Sequence, residues 1–212
     1  MSWYDLFSRF YDRSLEPLYR ETRARAAAAL DLREGLRVLD LPTGTGASLP
    51  ELVAGVGPSG AVVGVDLSAG MLDQARRRVE AAGWTQVALL ERDVHALDGE
   101  TLAALPVLDG ATQVDRVHVF LGLSAFPEWE QAFVSLWDRL SPGGRCVIVD
   151  VHADPPGFHG RMVNLVARAD IRRQTWAPLE RCANDYRREE LPSLPEHGGQ
   201  LFLATGVKPA GS

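Results

Sequence analysis

Two short apolar runs, each ending in an acid and separated by a glycine-rich turn, constrain this chain more than any other feature. The first is Val38-Leu39-Asp40, followed by Leu41-Pro42-Thr43-Gly44-Thr45-Gly46. The second is Val62-Val63-Gly64-Val65-Asp66, which places Asp66 20 residues beyond Gly46. A buried strand, a tight loop, a helix and a second buried strand satisfy that spacing, and both strand tips then carry a carboxylate. Such a unit grips a nucleoside. Loop glycines let the backbone approach the ligand, and the second acid accepts hydrogen bonds from ribose hydroxyls.

A dinucleotide-binding turn needs a third glycine three residues after the second, so that helix and strand pack closely. Here that position is Leu49. S-adenosylmethionine has no pyrophosphate to seat on a helix N-terminus; it has a methionine tail with an ammonium group, which an acid such as Asp40 could engage. Asp40-Leu41-Pro42-Thr43-Gly44-Thr45-Gly46 resembles motif I of the class I S-adenosylmethionine-dependent methyltransferases, D-x-G-x-G-T-G, with Pro42 in place of the first glycine. Proline fixes φ, removes a donor and biases Leu41 towards extended backbone. An NAD-dependent oxidoreductase and a non-catalytic S-adenosylmethionine-binding protein are the competing readings, and Pro42 gives the second some standing.

The resemblance continues in order along the chain. Asp66-Leu67-Ser68-Ala69-Gly70-Met71-Leu72 is similar to the family's D-x-S-x-x-M-L segment, which implies that Asp66 binds ribose while Leu67 and Met71 line the adenine. Gln86 to Val94 is a third strand with Asp93 at its tip; the resemblance assigns Asp93 to the adenine amino group and the backbone of Val94 to a further contact. Val114 to Phe120 is the fourth strand. Leu140-Ser141-Pro142-Gly143-Gly144-Arg145 resembles the family's L-x-P-G-G-x turn into the fifth, Cys146 to Asp150. The cofactor residues implied are Asp40, Thr43, Gly44, Thr45, Gly46, Asp66, Leu67, Met71, Asp93, Val94 and Phe120, with S-adenosyl-L-homocysteine as the product.

Strands alternating with helices predict an α/β, Rossmann-like, doubly wound fold: a mostly parallel seven-stranded sheet, helices on both faces, and an antiparallel last strand. Ligands then sit above the strand carboxyl ends, where Asp40, Asp66, Asp93 and Phe120 all fall. The 212 residues suit a single methyltransferase domain, divided into an N-terminal helical lid (1–34), a cofactor-binding core (35–152) and a substrate-side lid with the final strands (153–212). Ala69 to Ala82 reads as a helix capped by Ser68 and closed by Gly83. Glu128 to Leu140 reads as an amphipathic helix, and Arg161 to Arg173 as another. Ala183 to Leu191 and Gln200 to Lys208 are candidate strands of an antiparallel pair.

The acceptor side is less legible. Trp3, Phe7 and Phe10 share one helical face with Tyr4 and Tyr11 beside it, either docking on the sheet or closing over the donor, with Tyr4 or Tyr11 reaching the methionine carboxylate or the substrate. The Tyr4-Asp5 and Tyr11-Asp12 pairs resemble the N-terminal region of ubiquinone/menaquinone-type and bacterial phospholipid N-methyltransferases. Leu121 to Trp129 is similar to the Y-S-L-S-x-I-P-x-W stretch of the phospholipid and betaine-lipid enzymes, and Arg172 to Leu179 to their C-terminal lid. Arg161, Arg168, Arg172 and Arg173 would bind a phosphate or carboxylate, or form a solvated helical face. A phenol or carbon acceptor needs a general base, and His152, just past the fifth strand, is the candidate; a neutral amine needs none. His118 alternates with inward positions and reads as a core histidine.

A formal net charge of −6 disfavours nucleic acid as a bulk partner. No apolar run approaches the ~18 residues of a membrane span, and Met1 to Asp5 does not read as a signal peptide. Two distant cysteines give neither metal spacing nor a disulfide framework, so no metal is expected. The expectation is a cytoplasmic enzyme acting on a small-molecule acceptor (a lipid headgroup, quinone or natural product), with peripheral membrane contact if that acceptor is a lipid. The acceptor atom and the oligomeric state stay open.

Overall fold

The computed structural model describes residues 19–211. Helix α1 (19–29) buries Tyr19, Thr22, Arg23 and Ala26, a helical stripe that continues to Leu30. The expected lid residues Trp3, Tyr4, Phe7, Phe10 and Tyr11 lie outside the described residues.

The sheet then builds strand by strand: β1 (Arg37–Asp40), β2 (Ala61–Asp66), β3 (Val87–Glu91), β4 (Val114–Phe120), β5 (Leu140–His152), β6 (Asn184–Glu190) and β7 (Gln200–Val207). Their order is β3-β2-β1-β4-β5-β7-β6. Strands β1 to β5 run parallel, and β7 is antiparallel to both β5 and β6. The predicted architecture is therefore observed. Its strand order reverses between β1 and β4, and a crevice above the carboxyl ends opens at such a switch point.

The interior strands are apolar because both faces are covered. In β1, Val38 packs into one core and Leu39 into the other, both fully buried. One core joins the sheet to α1 and α2 (Leu49–Val56), with Val79 of α3 (Ala69–Ala82) at its margin. The other joins it to α4 (Gly99–Ala103), α5 (Trp129–Arg139) and α7 (Ala177–Cys182) through Leu102, Phe133, Leu136 and Leu179. Ser68 caps α3 by accepting from Met71 N–H at 3.3 Å, and Gly83 ends it in the left-handed region. Edge strand β6 carries Asp185, Arg187, Arg188, Glu189 and Glu190, all exposed, which blunts pairing with another chain.

One helix differs from expectation. Helix α6 spans Phe158–Ala167 and stops at Arg168, whose φ is 52°. Beyond it the backbone finds other partners: Ile171 N–H donates to Asn164 Oδ1 at 3.0 Å and Asp170 N–H to Ser124 O at 2.8 Å. Arg172 and Arg173 therefore lie outside the helix. Among the described residues, no helix is long and apolar enough to cross a membrane.

Candidate cofactor site

Asp66 ends β2 with its carboxylate across the turn from β1. Gly44 N–H donates to Asp66 Oδ2 at 2.8 Å, and Ser68 N–H donates to Oδ1 at 2.9 Å. Each oxygen keeps a second lone pair, so the group is fixed in place yet able to accept from a vicinal diol. Burial pushes the Asp66 carboxyl above its ordinary range; the Ser68 and Gly44 N–H groups oppose that shift and the Asp40 carboxylate adds to it.

The turn itself needs its glycines. Gly44 and Gly46 have φ of 56° and 76°, a region that a Cβ disfavours. A Cβ on Gly46 would stand 2.7 Å from Leu49 Cδ1, whereas nothing lies within 4 Å of the Cβ position of Gly44. Backbone thus approaches α2 on one side and leaves open room on the other. Pro42 packs on Gly122, whose Cβ would run into the proline ring. The departure from the usual glycine is accommodated by the loop after β4.

Beside this turn the remaining predicted cofactor residues take these places. Thr43 and Thr45 are buried within the turn, and Asp40 beneath it is 1% exposed. Leu67 is 69% exposed at the crest of the β2–α3 connection, and Met71 is half-buried one turn into α3. Asp93, past the end of β3, accepts from His95 N–H at 2.9 Å, and Val94 is buried behind it. Phe120 ends β4 with its ring edge-on to Tyr19, centroids 6.1 Å apart. The next residue, Leu121, holds φ at 54°, uncommon for a side chain of its size and of a kind that clusters at functional sites. Most of these residues thus share the carboxyl edge of β3-β2-β1-β4. His152 does not: it lies at the end of β5, packed edge-on against Trp176 with ring centroids 4.9 Å apart. Its Nδ1 is buried with no hydrogen-bond partner among the described residues.

Two arrangements were not legible in the sequence. The first joins His118 to Asp40, Nδ1 to Oδ1 at 2.8 Å, with both side chains buried. The second is Asp150, which reads from the sequence only as a neighbour of His152. It accepts from Ser124 N–H at 2.9 Å, Ser124 Oγ at 2.8 Å and Val151 N–H at 2.9 Å, with Thr175 Oγ1 at 3.4 Å. Burial pushes its carboxyl up, opposed by those donors. The same 124–126 segment is held from the far side by Arg173, which donates to Ser124 O at 3.1 Å and to Phe126 O. Arg172 is paired with Asp170 at 2.8 Å. Both arginines, expected from the sequence to take an anion, are engaged within the protein. Trp176 is 8% exposed, under Arg188 with the guanidinium 4.1 Å from the ring centroid, so it belongs to the core rather than to a lid surface.

Comparison with known proteins agrees with this geometry. Residues 38–144 match the methyltransferase domain family. The demethylmenaquinone methyltransferase of Thermus thermophilus is 36% identical over 158 residues, covering 74% of this chain and 64% of that protein's length. The phosphatidylethanolamine N-methyltransferase of Cereibacter sphaeroides is 32% identical over 91% of this chain and 89% of its own. An O-methyltransferase family protein from Burkholderia thailandensis superposes with a TM-score of 0.70 at 15% identity, over 97% of this chain and 60% of that one, a likeness of fold. Sequence match, sheet order and the Asp66–Gly44 turn together make this chain a member of the class I S-adenosylmethionine-dependent methyltransferases.

Proposed function

We propose that the chain transfers a methyl group from S-adenosylmethionine to a small-molecule acceptor of lipid-headgroup or quinone character. The observation that carries this is Asp66, pinned by Gly44 and Ser68 N–H groups at the tip of β2 with lone pairs to spare, beside the open crest of the turn. Residues Thr43 to Gly46 would hold the methionine part, Asp66 the ribose, and Leu67, Met71, Asp93 and Val94 the adenine. When bound, the cofactor supplies an electrophilic methyl on a sulfonium. The protein's task is then alignment and exclusion of water. Phe120 and the segment fixed by Asp150 and Arg173 would stand between donor and acceptor.

Apolar character supports a lipid-like acceptor. A shallow cavity of about 370 Å³ lies between α6 and the start of β7, lined by Phe158, Leu194, Pro195, Gly199 and Gln200. Phe158 is 76% exposed and Leu194 53% exposed there. Gln200 pairs with His152 across β7 and β5, so the cavity adjoins the carboxyl end of β5. His152 is the candidate proton acceptor for a phenol or carbon acid, and an amine acceptor arriving neutral dispenses with it. Of the two named relatives, one acts by its name on a menaquinone precursor and the other on a phospholipid.

Calorimetric titration with S-adenosylhomocysteine, with NAD alongside, tests the donor. Methyl transfer from labelled donor to phosphatidylethanolamine micelles and to a demethylated quinol then tests the acceptor. Binding of NAD alone would overturn the reading; labelled product from one acceptor, abolished in His152→Ala only if that acceptor is the quinol, is the expected result.

A further inference from the structure

The His118–Asp40 pair sits directly under the turn that Gly44 and Gly46 form. Asp40 is 1% exposed, and each of its oxygens has one partner: His118 Nδ1 at 2.8 Å from Oδ1 and Thr43 Oγ1 at 2.7 Å from Oδ2. A carboxylate only accepts, so Nδ1 carries the hydrogen of this contact and Nε2 is the ring nitrogen left over. That Nε2 is buried with no partner among the described residues. The Nδ1–Oδ1 contact and the burial of both side chains hold this imidazole in one orientation.

What the pair fixes is Thr43. The Thr43 hydroxyl donates to Asp40, its N–H donates to Val65 O at 2.9 Å, and its carbonyl accepts from Gly46 N–H at 2.9 Å. Its side chain also fills the space that a Cβ on Gly64 would take, 2.8 Å from Thr43 Oγ1. The turn is therefore held by two carboxylates from opposite sides. Asp66 reaches Gly44 from β2, and Asp40 reaches Thr43 from below, itself braced by a histidine 78 residues away on β4. β4 delivers that ring at the right height because Asp40 and His118 are register partners in the parallel β1–β4 ladder. Phe120, two residues on and on the same face, stacks on it with centroids 5.9 Å apart.

We propose that His118 is a positioning residue for methyl-donor binding: by donating to buried Asp40 it holds the Thr43–Gly46 turn in its binding shape. It touches no ligand in this account. Asp40, 1% exposed beneath the turn, acts on the donor through the turn rather than as an open carboxylate. The proposal rests on the reading of Asp40 to Gly46 as the cofactor turn.

The test compares His118→Leu, which removes the donor, with His118→Asn, whose side-chain amide nitrogen stands where Nδ1 stood. Hydrogen exchange of the Thr43 and Gly46 amides reads the turn directly and needs no ligand. Protection at both should fall about tenfold in His118→Leu, relative to the Val62 amide of the β2–β3 ladder, and stay within about threefold in His118→Asn. The dissociation constant for S-adenosylhomocysteine should follow the same split. In turnover, KM for the donor should rise while kcat at saturating donor changes less. Unchanged protection in the leucine variant, or equal losses in both variants, overturns the proposal and makes His118 an ordinary core residue. Failure of the wild-type protein to bind S-adenosylhomocysteine would instead overturn the donor reading, while the exchange data still decide whether His118 holds the turn.

Discussion

The proposed donor-facing and acceptor-facing parts of this protein are built from contacts of different reach. On the donor side, Asp66 binds residues two and 22 positions away and Asp40 binds Thr43 three away. On the acceptor side, Asp150 reaches back 26 residues to Ser124, and Arg173 reaches back 49 and 47 to Ser124 and Phe126. His118 gives the donor turn a comparable long-range tie. A short-range site keeps its shape wherever its strand–turn–strand unit folds. A long-range site exists only once β4, β5 and the 170–176 segment have docked, so its loss should cost global stability rather than ligand affinity.

That contrast makes opposite predictions for two carboxylates. Asp66→Ala should weaken S-adenosylhomocysteine binding roughly 100-fold, about 3 kcal/mol for two hydrogen bonds to a charged acceptor. It should lower the melting temperature little, because the Gly44 and Ser68 N–H groups it releases are only partly buried and can pass to water. Asp150→Ala should do the reverse. It strands the buried Ser124 donors, costing about 2–3 kcal/mol in urea unfolding, with affinity for the nucleoside held within about threefold. If both variants lost affinity and stability together, the two parts would be one cooperative unit and the contrast would fail.

Arg173→Met sharpens the comparison. It frees the Phe126 carbonyl and leaves Ser124 O with Asp170 N–H alone, without touching the donor turn. Turnover should drop about tenfold while donor binding holds, as calorimetry and steady-state rates measured on one preparation would show. A loss of donor affinity instead would tie the 124–126 segment to the cofactor.

The smallest expected effect is the pH dependence of Asp150. Its folded carboxyl is raised, so the folded state binds its proton more tightly than the unfolded chain does. The contribution is then fully present below the unfolded pKa near 4 and declines as pH rises through the raised folded value. Urea unfolding of wild type against Asp150→Asn should show the wild-type protein losing ground as pH rises above about 4, then running parallel. A constant difference across that window would mean that the Ser124 and Val151 donors fully offset burial.

The turn of the proposed donor side was readable because its contacts are local. Asp40, Gly44, Gly46 and Asp66 announce a strand, a turn and a second strand within one stretch, and Ser68 and Gly83 bracket α3 where the cap pattern places them. Asp150 escaped notice because its partners come from three separate segments, and no pattern in the sequence pairs Ser124 or Thr175 with it. Helix α6 ends at Arg168 rather than running to Arg173 because Asp170 N–H finds Ser124 O instead of a helical carbonyl, a competition between backbone partners that local propensity does not contain. His118 was visible as an inward residue on β4; its role depends on β1 lying beside β4 in that register.

By itself, then, the sequence determined the alternation of strands and helices, the glycine turn and the acids at the strand tips. Those follow from burial on both faces, from backbone angles that only glycine adopts cheaply, and from carboxylates placed where strands end. Tertiary structure alone decided which buried polar groups meet: His118 with Asp40, Asp150 with Ser124, Arg173 with the 124–126 carbonyls. A buried donor or acceptor must be satisfied by whatever the packed chain brings within about 3 Å, and that partner is set by strand register and helix docking rather than by neighbours in sequence.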